Sequence, residues 1–408
     1  MRVHVKYGDR LIGALDDGSS DGRIYFQYDR LFVPSGIELS PIHLPLHDRL
    51  QFHNNEAFER LPGLFYDSLP DKWGRGVLKA RLEKQGINAD NLSPLEKLCW
   101  VGSHGMGALT YEPDRSESEL GTIKTLDLLR IARDAREILV GHYQNILPEL
   151  LESGTSAGGA RPKMLIGINR EKPDLVIARA QDLPVDYDAW LLKIETDTLK
   201  EYCKLEYAYF RMAAAAGIDV PEVRLISQGG TSHFAIKRFD REGGRKIHVH
   251  SMAGLLHHDF NVYGSDYRDL FRLGSALTRD KNTELELFRR MAFNFYAGVR
   301  DDHAKNHAFL FDEKGWRLSP AYDLIYARGR GGAGQFLHEL ALGGKQNGIG
   351  RQDLVSFAAE VGLPSGKVVA ILAEVVAACE RWKIFAQEAK LTEAHADEVE
   401  SLFEPFAL

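Results

Sequence analysis

The sequence predicts an α+β protein whose β-rich amino-terminal half gives way to a mostly helical carboxy-terminal half. Three observations predict it. Period-two alternation with turn signals fills residues 1–33, and short strand-like runs recur between residues 163 and 239. Beyond residue 241 the apolar residues fall at helical spacing, interrupted by a single hairpin. At 408 residues the chain exceeds what one hydrophobic core organises. Subdomains are therefore expected at 1–115, 116–240 and 241–408.

The elements follow in order. Residues 3–5, 11–15 and 23–33 read as a β-meander, with turns at Gly8 and Asp9 and at Asp17 and Gly18. A stretch punctuated by Gly and Pro, LPGLFYDSLPDKWGRGVL, leads into a helix reaching Gln85. The segment SPLEKLCWVGSHGMGALTYEP reads as a helix, a glycine-rich turn and a strand. The acidic run at 112–119 marks a subdomain boundary, and residues 126–140 a helix. Strands are expected at 164–168, 174–180 and 190–195. A long helix over 199–216 ends at Gly217, a normal carboxy-terminal signal. Strands at 222–227 and 233–239 complete a small mixed sheet carrying one helix. No internal repeat or low-complexity tract breaks this order.

Composition excludes several classes. Hydrophobic and charged fractions of 44% and 27% are those of an ordinary globular protein, and a net charge of -7 gives no basic footprint for nucleic acid. Cys99, Cys203 and Cys379 form no CxxC pair, which argues for reduced thiols and against a zinc site or disulfide framework. The alternating amino terminus has no apolar signal-peptide core, and the apolar run 368–379 is too short to span a bilayer. A cytoplasmic location is expected.

The residues that point to chemistry lie between 284 and 323. Phe288, Met291, Ala292, Phe295 and Val299 recur at helical spacing and lead into the polar loop RDDHAKN. A strand at 307–311, a turn and a strand at 316–320 return the chain to Asp323. Asp301, Asn306 and Asp323 should therefore converge at one end of a ribbon. A kinase needs this set: one Asp to accept the hydroxyl proton, an Asn and a second Asp to hold Mg²⁺ against the phosphates of ATP. Lys305 and His303 would neutralise or orient the cluster. Taken singly, each Asp also fits a solvated capping role.

Lys193 stands inside the apolar run WLLKI, where an ammonium seeks an anion. Glu201 and Glu206 on the next helix are candidate partners, as in the strand–helix Lys–Glu pair of kinases. The alternative is an edge-strand lysine reaching solvent. The stretch ESGTSAGGARPKM offers Gly158 and Gly159 for close approach to phosphate, with Arg161 and Lys163 supplying charge and Ser156 a hydroxyl acceptor. It does not fit the Walker pattern, and a flexible linker is its bland reading.

Taken together, the motifs LPDKWGR, VGSHGMGAL, SAGGARPK, LLKIE, EYAYFRMAAAAGIDVP, KRFDR, DDHAKN and SPAYDL resemble, in order, those of the HipA family, the kinase components of bacterial toxin–antitoxin modules. The resemblance covers most of the chain and is thinnest in the first fifty and last sixty residues. It implies a two-lobed protein-kinase-like fold with an extra amino-terminal subdomain. By position it assigns Asp301 as catalytic base, Asn306 and Asp323 as metal ligands, Lys193 as the ATP-phosphate lysine and Glu206 as its helix partner. Lys237 and Phe239 fall where the family's backbone meets adenine, and Ser156 on the serine that members autophosphorylate to switch themselves off. A small HipB-like DNA-binding antitoxin, and through it DNA, is the implied partner. Aminoacyl-tRNA synthetases are the implied substrate class. Leu205 departs from the family's usual Asn. His248, His250, His257 and His258 have no implied duty and read as surface or satisfied histidines rather than metal ligands.

Competing readings are a small-molecule phosphotransferase, a catalytically silent antitoxin-bound module, and a metal-dependent hydrolase using Asp301, Asp302, His303 and His307. The amino-terminal LPDKWGR and VGSHGMGAL segments speak against the first. The intact acidic loop and Lys193 speak against the second. No further ligands at fixed spacing support the third.

Overall fold

A computed structural model of the protein describes residues 1–18, 21–116, 126–154, 159–178, 182–260, 262, 264–327 and 337–404. These form two compact units: Met1–Thr198 with Ile226–His250 and Gly254–His257, and Leu199–Leu225 with Ser251–Ala253 and His258–Leu408.

The first unit holds two five-stranded sheets and a two-stranded ribbon of Arg241–Glu242 with Arg245–Lys246. The meander forms β1 (Arg2–Tyr7), β2 (Arg10–Asp16) and β3 (Tyr25–Tyr28), joined by β4 (Gln51–Phe52) and β5 (Leu109–Glu112) in the order β4-β3-β2-β1-β5. Alternation explains the inward set: Val3 and Val5 on β1 and Phe26 and Tyr28 on β3 are buried. The third strand stops short of the expected residue 33. Asp29 accepts the Leu31 N–H, and Pro34, which lacks an N–H, sits in a short 3₁₀ turn.

The second sheet comprises β6 (Lys163–Asn169), β7 (Val176–Ala178), β8 (Tyr187–Lys193), β9 (Val223–Gln228) and β10 (Thr231–Lys237), in the order β7-β6-β8-β10-β9. Its pairings β6–β7, β6–β8 and β8–β10 are all antiparallel, where a mixed sheet was expected.

The sheet's core also corrects the one-helix expectation. Met164, Ile166, Trp190, Leu192 and Ala235 pack with Trp73, Val77 and Ala80 of the helix Lys72–Glu83, with Ile131 and Ile138 of Leu128–Leu139, and with Leu150 of Pro148–Ser153. Burying each of the larger aliphatic side chains among these, such as Ile166 or Leu192, contributes about 1.5–3 kcal/mol. The helix that carries the LPDKWGR motif is thus built into this sheet's core.

Behind the glycine turn of VGSHGMGAL lies a buried ion cluster. Asp240 accepts from Arg238 Nε and Nη2 at 2.9 and 2.8 Å and from the Gly107 N–H at 2.7 Å. Arg241 donates to the Gly105 and Gly107 carbonyls. The two guanidiniums hold the Asp240 carboxyl, despite its burial, far below the usual carboxylate range. The motifs KRFDR and VGSHGMGAL are therefore halves of one structural joint.

The second unit is mostly helical. Tyr202–Ala215 ends at Gly217, whose φ of +77° suits glycine. Tyr267–Thr278 and Lys281–Tyr296 precede the antiparallel hairpin Ala308–Asp312/Gly315–Leu318. Arg351–Glu360, Ser365–Cys379, Trp382–Glu388 and Glu393–Glu400 follow. No helix among the described residues is long and apolar enough to cross a membrane.

Candidate active site

The helix Lys281–Tyr296 buries Leu287, Phe288, Met291, Ala292 and Phe295, and this apolar face fixes where its carboxy-terminal end delivers the acidic loop. The hairpin then returns the chain, with Phe309 opposite Leu318 and Asp312 opposite Gly315. As the spacing predicts, Asp301, Asn306 and Asp323 line one small pocket, together with Asp302, His307 and Tyr322. Tyr322 donates from its hydroxyl to the Lys305 carbonyl at 2.6 Å, tying the end of the hairpin to the loop.

Each acidic-loop residue has a distinct setting. Asp301 is exposed, as a group that meets a substrate must be. Asn306 donates its amide N–H to the Asp301 carbonyl at 2.7 Å, so the remaining donor atom toward a cation is its amide oxygen. Asp323 has a φ of +53°. A non-glycine residue held there costs free energy, and such residues cluster at functional sites. His303 Nε2 lies 3.7 Å from Asp301 Oδ1, and its ring packs 5.4 Å from Phe260. Lys305 places its ammonium 4.8 Å from the same Phe260 ring.

Asp302 is the residue that sequence reasoning misjudged. The sequence offers it only as a hydrolase metal ligand, yet its carboxylate is buried and engaged by protein donors. Oδ2 accepts from the Tyr267 hydroxyl at 2.7 Å and pairs with His338 Nδ1 at 3.1 Å, and Oδ1 accepts the Glu339 N–H at 2.9 Å. Asn294 donates to the same Tyr267 oxygen at 3.0 Å. His307, which burial pushes down to about 4, pairs through Nε2 with the Asp302 carbonyl. Of the doubled Asp, one side chain anchors the loop and the other faces out. The signal was available in the doubling itself, since neighbouring side chains leave an extended chain on opposite sides.

The donor set suits Mg²⁺. Asn306 and Asp323 offer hard oxygen ligands, and among the described residues no group of three or more His, Cys, Asp or Glu side chains could hold a metal ion. A site with few protein ligands fits an ion that takes the remainder from phosphate and water. Each histidine of this stretch has a protein hydrogen-bond partner. His250 pairs with Asp67 at 2.7 Å and with Ser40 at 3.0 Å, His248 with the Leu39 carbonyl, His257 with the Gly63 N–H and His258 with Ser265.

The phosphate-facing candidates lie in the first unit. Lys193 ends β8, which runs between β6 and β10, and is buried. The edge-strand alternative is thereby removed. Its register partner on β6 is Lys163, also buried. Directly opposed like charges on antiparallel strands are destabilising. An anion beside such a pair offsets that cost. Gly159, with a φ of +94°, lies against the Lys163 ammonium: a Cβ there would come within 2.5 Å of Nζ. Ser156 and Gly158 lie outside the described residues. Lys237 ends β10 and donates to Asp188 at 2.6 Å, and Phe239 follows in a turn. Glu206 is buried on the helix Tyr202–Ala215 of the second unit.

Comparison with known proteins agrees with this architecture. Residues 155–383 match the family profile described as HipA-like C-terminal domain, and residues 3–112 match the HipA N-terminal domain. A Sinorhizobium fredii protein named as a kinase, Y4dM, is 30% identical over 152 residues, which are 34% of this chain and 37% of that protein, so the match spans about a third of its length. The serine/threonine-protein kinase toxin HipA of Shewanella oneidensis is 22% identical over 357 residues, 80% of this chain and 75% of the toxin. Among solved structures, a chain from the Shewanella oneidensis complex of HipA, HipB and operator DNA superposes with a TM-score of 0.69 at 16% identity. That match covers 98% of this chain and 95% of that one, and it shows the same kinase-like fold. Since the carboxy-terminal profile alone takes in more than half of the 408 residues, the protein belongs to the HipA family.

Proposed function

We propose that the protein is an ATP- and Mg²⁺-dependent serine/threonine protein kinase acting as the toxin of a toxin–antitoxin module. The observation that carries this reading is the pocket shared by Asp301, Asn306 and Asp323, built by a loop and hairpin from one short stretch of chain. Asp301 would accept the proton of the substrate hydroxyl as its oxygen attacks the γ-phosphorus. The bond from that phosphorus to the bridging oxygen breaks, and ADP leaves. Bound Mg²⁺ would neutralise charge on the phosphates, with Asn306 and Asp323 as its protein ligands. Lys193, Lys163 and Gly159 would meet phosphate oxygens, Glu206 would pair with Lys193, and the backbone at Lys237 and Phe239 would receive the adenine.

Relatives support the wider role. We assign a HipB-like DNA-binding antitoxin as partner, with DNA contacted only through it, because a solved relative is a complex of that composition. An aminoacyl-tRNA synthetase is the proposed substrate, whose phosphorylation would arrest translation, and Ser156 the proposed site of self-inactivation. A phosphate there would add roughly two negative charges and repel those of ATP.

The test is incubation of purified protein with Mg²⁺ and γ-labelled ATP beside Asp301→Gln. Label on the wild type alone, mapping to Ser156, is the expected result, with transfer by the variant reduced at least 100-fold. Equal labelling of the variant would remove Asp301 as the base. An unlabelled wild type whose intact mass matches the unmodified chain would turn the reading to a silent binding module.

A further inference from the structure

The side chains of the LPDKWGR motif grip the exit of the glycine-rich segment. Asp71 Oδ2 accepts the Gly159 N–H at 2.6 Å, and the Trp73 backbone N–H donates to the Gly159 carbonyl at 3.2 Å. The Trp73 indole N–H donates to the Lys163 carbonyl at 2.7 Å. Both polar backbone groups of Gly159, and the carbonyl of the buried lysine four residues on, are thus held by one turn of chain nearly ninety residues earlier.

Two details point to a dedicated role. Asp71 occupies the N-cap of the helix Lys72–Glu83 but makes no side-chain cap hydrogen bond. An Asp at that position ordinarily stabilises its own helix by about 0.5–2 kcal/mol. Here the carboxylate turns to Gly159 instead. Trp73 is buried in the core beneath β6 and β8, so the grip is anchored to the strands that bear Lys163 and Lys193. Gly159, at a φ that disfavours side chains, and the ammonium lying against it are held in one geometry.

We propose that Asp71 and Trp73 are positioning residues for nucleotide phosphate, fixing Gly159 and Lys163 in the conformation that receives it. This rests on the kinase reading of the site. Neither residue need touch the nucleotide. Preorganising the backbone in the free protein lowers the ordering cost of binding, so their loss appears in nucleotide affinity rather than in the stability of the unliganded fold.

The experiment is calorimetric titration of the full chain with a Mg²⁺-bound non-hydrolysable ATP analogue, paired with thermal melting of the free protein. Asp71→Ala is expected to weaken binding roughly tenfold while the free protein melts within a few degrees of wild type. Asp71→Asn keeps an acceptor oxygen for the Gly159 N–H and is expected to restore most of the affinity. Wild-type affinity in Asp71→Ala would overturn the proposal, as would equal losses in both Asp71 variants. If Asp71→Ala does not fold, Trp73→Phe decides: it keeps a ring but loses the indole donor, and unchanged affinity would overturn the proposal. A wild type that fails to bind the analogue overturns the kinase reading itself, and this inference with it.

Discussion

The acidic loop and the exit of the glycine-rich segment are held in different ways. Asp301, Asn306 and Asp323 come from one short stretch, and their anchor, Asp302, is the next residue in the chain. Gly159 and Lys163 depend on Asp71 and Trp73, which lie in a distant motif. A cluster built by one hairpin is specified locally, whereas the backbone at Gly159 is specified by packing between remote segments. A lesion in the first region should damage turnover, and one in the second should damage nucleotide affinity.

Asp302→Ala should have the largest effect. It strands the Tyr267 hydroxyl, the His338 ring and the Glu339 N–H, and each buried group left unsatisfied costs about 1–3 kcal/mol. Denaturant melts should show a loss of several kcal/mol, and label transfer should fall by about 100-fold. Turnover that survived would break the idea that Asp302 sets the posture of Asp301.

Gly159→Ala comes next. A side chain at φ +94° is strained by about 1–3 kcal/mol and displaces the Lys163 ammonium. Titration with the analogue should show roughly tenfold weaker binding with residual turnover at saturating nucleotide. A fall in turnover alone would erase the contrast between the regions.

Acidity supplies the mildest perturbation near neutrality. Burial pushes His104 and His233 down to about 4 and His248 and His257 to about 3 in the first unit, and His307 to about 4 in the second. A histidine held neutral when folded binds its proton more readily when unfolded. Stability is therefore full above the ordinary value near 6.5 and is lost as pH falls toward the depressed one. The loss is roughly 0.7 kcal/mol per histidine from pH 7 to pH 6. With four such groups against one, hydrogen exchange should rise in the first unit before the second, and simultaneous opening would contradict that assignment.

Legibility in the sequence followed the same divide. The hairpin and the convergence of Asp301, Asn306 and Asp323 were readable because periodicity and turn residues act over a few positions. Three helices on the second sheet were not, because nothing near Trp73 or Ile131 announces a partner beyond residue 160. The buried joint of Asp240 with Gly105 and Gly107 escaped for the same reason: each half alone reads as a solvated loop or a surface ion pair. The satisfied state of the histidines followed from the lack of metal spacing, but their partners Leu39, Ser40, Gly63 and Asp67 lie about 200 residues earlier and left no local trace.

The excursion of the chain out of the first unit also matters while the protein is being made. β8 has β6 on one side and β10 on the other, but β10 follows only after the departure at residue 199. Until Lys237 leaves the ribosome, β8 carries an open row of amides and carbonyls beside the apolar Trp190 and Leu192. That is a template for pairing with another chain. Adding the missing segment of about 40 residues takes a few seconds at ordinary rates of synthesis. Fragments ending between Lys193 and Thr231 are therefore expected to aggregate, and a fragment that completes this sheet has to run past Lys237.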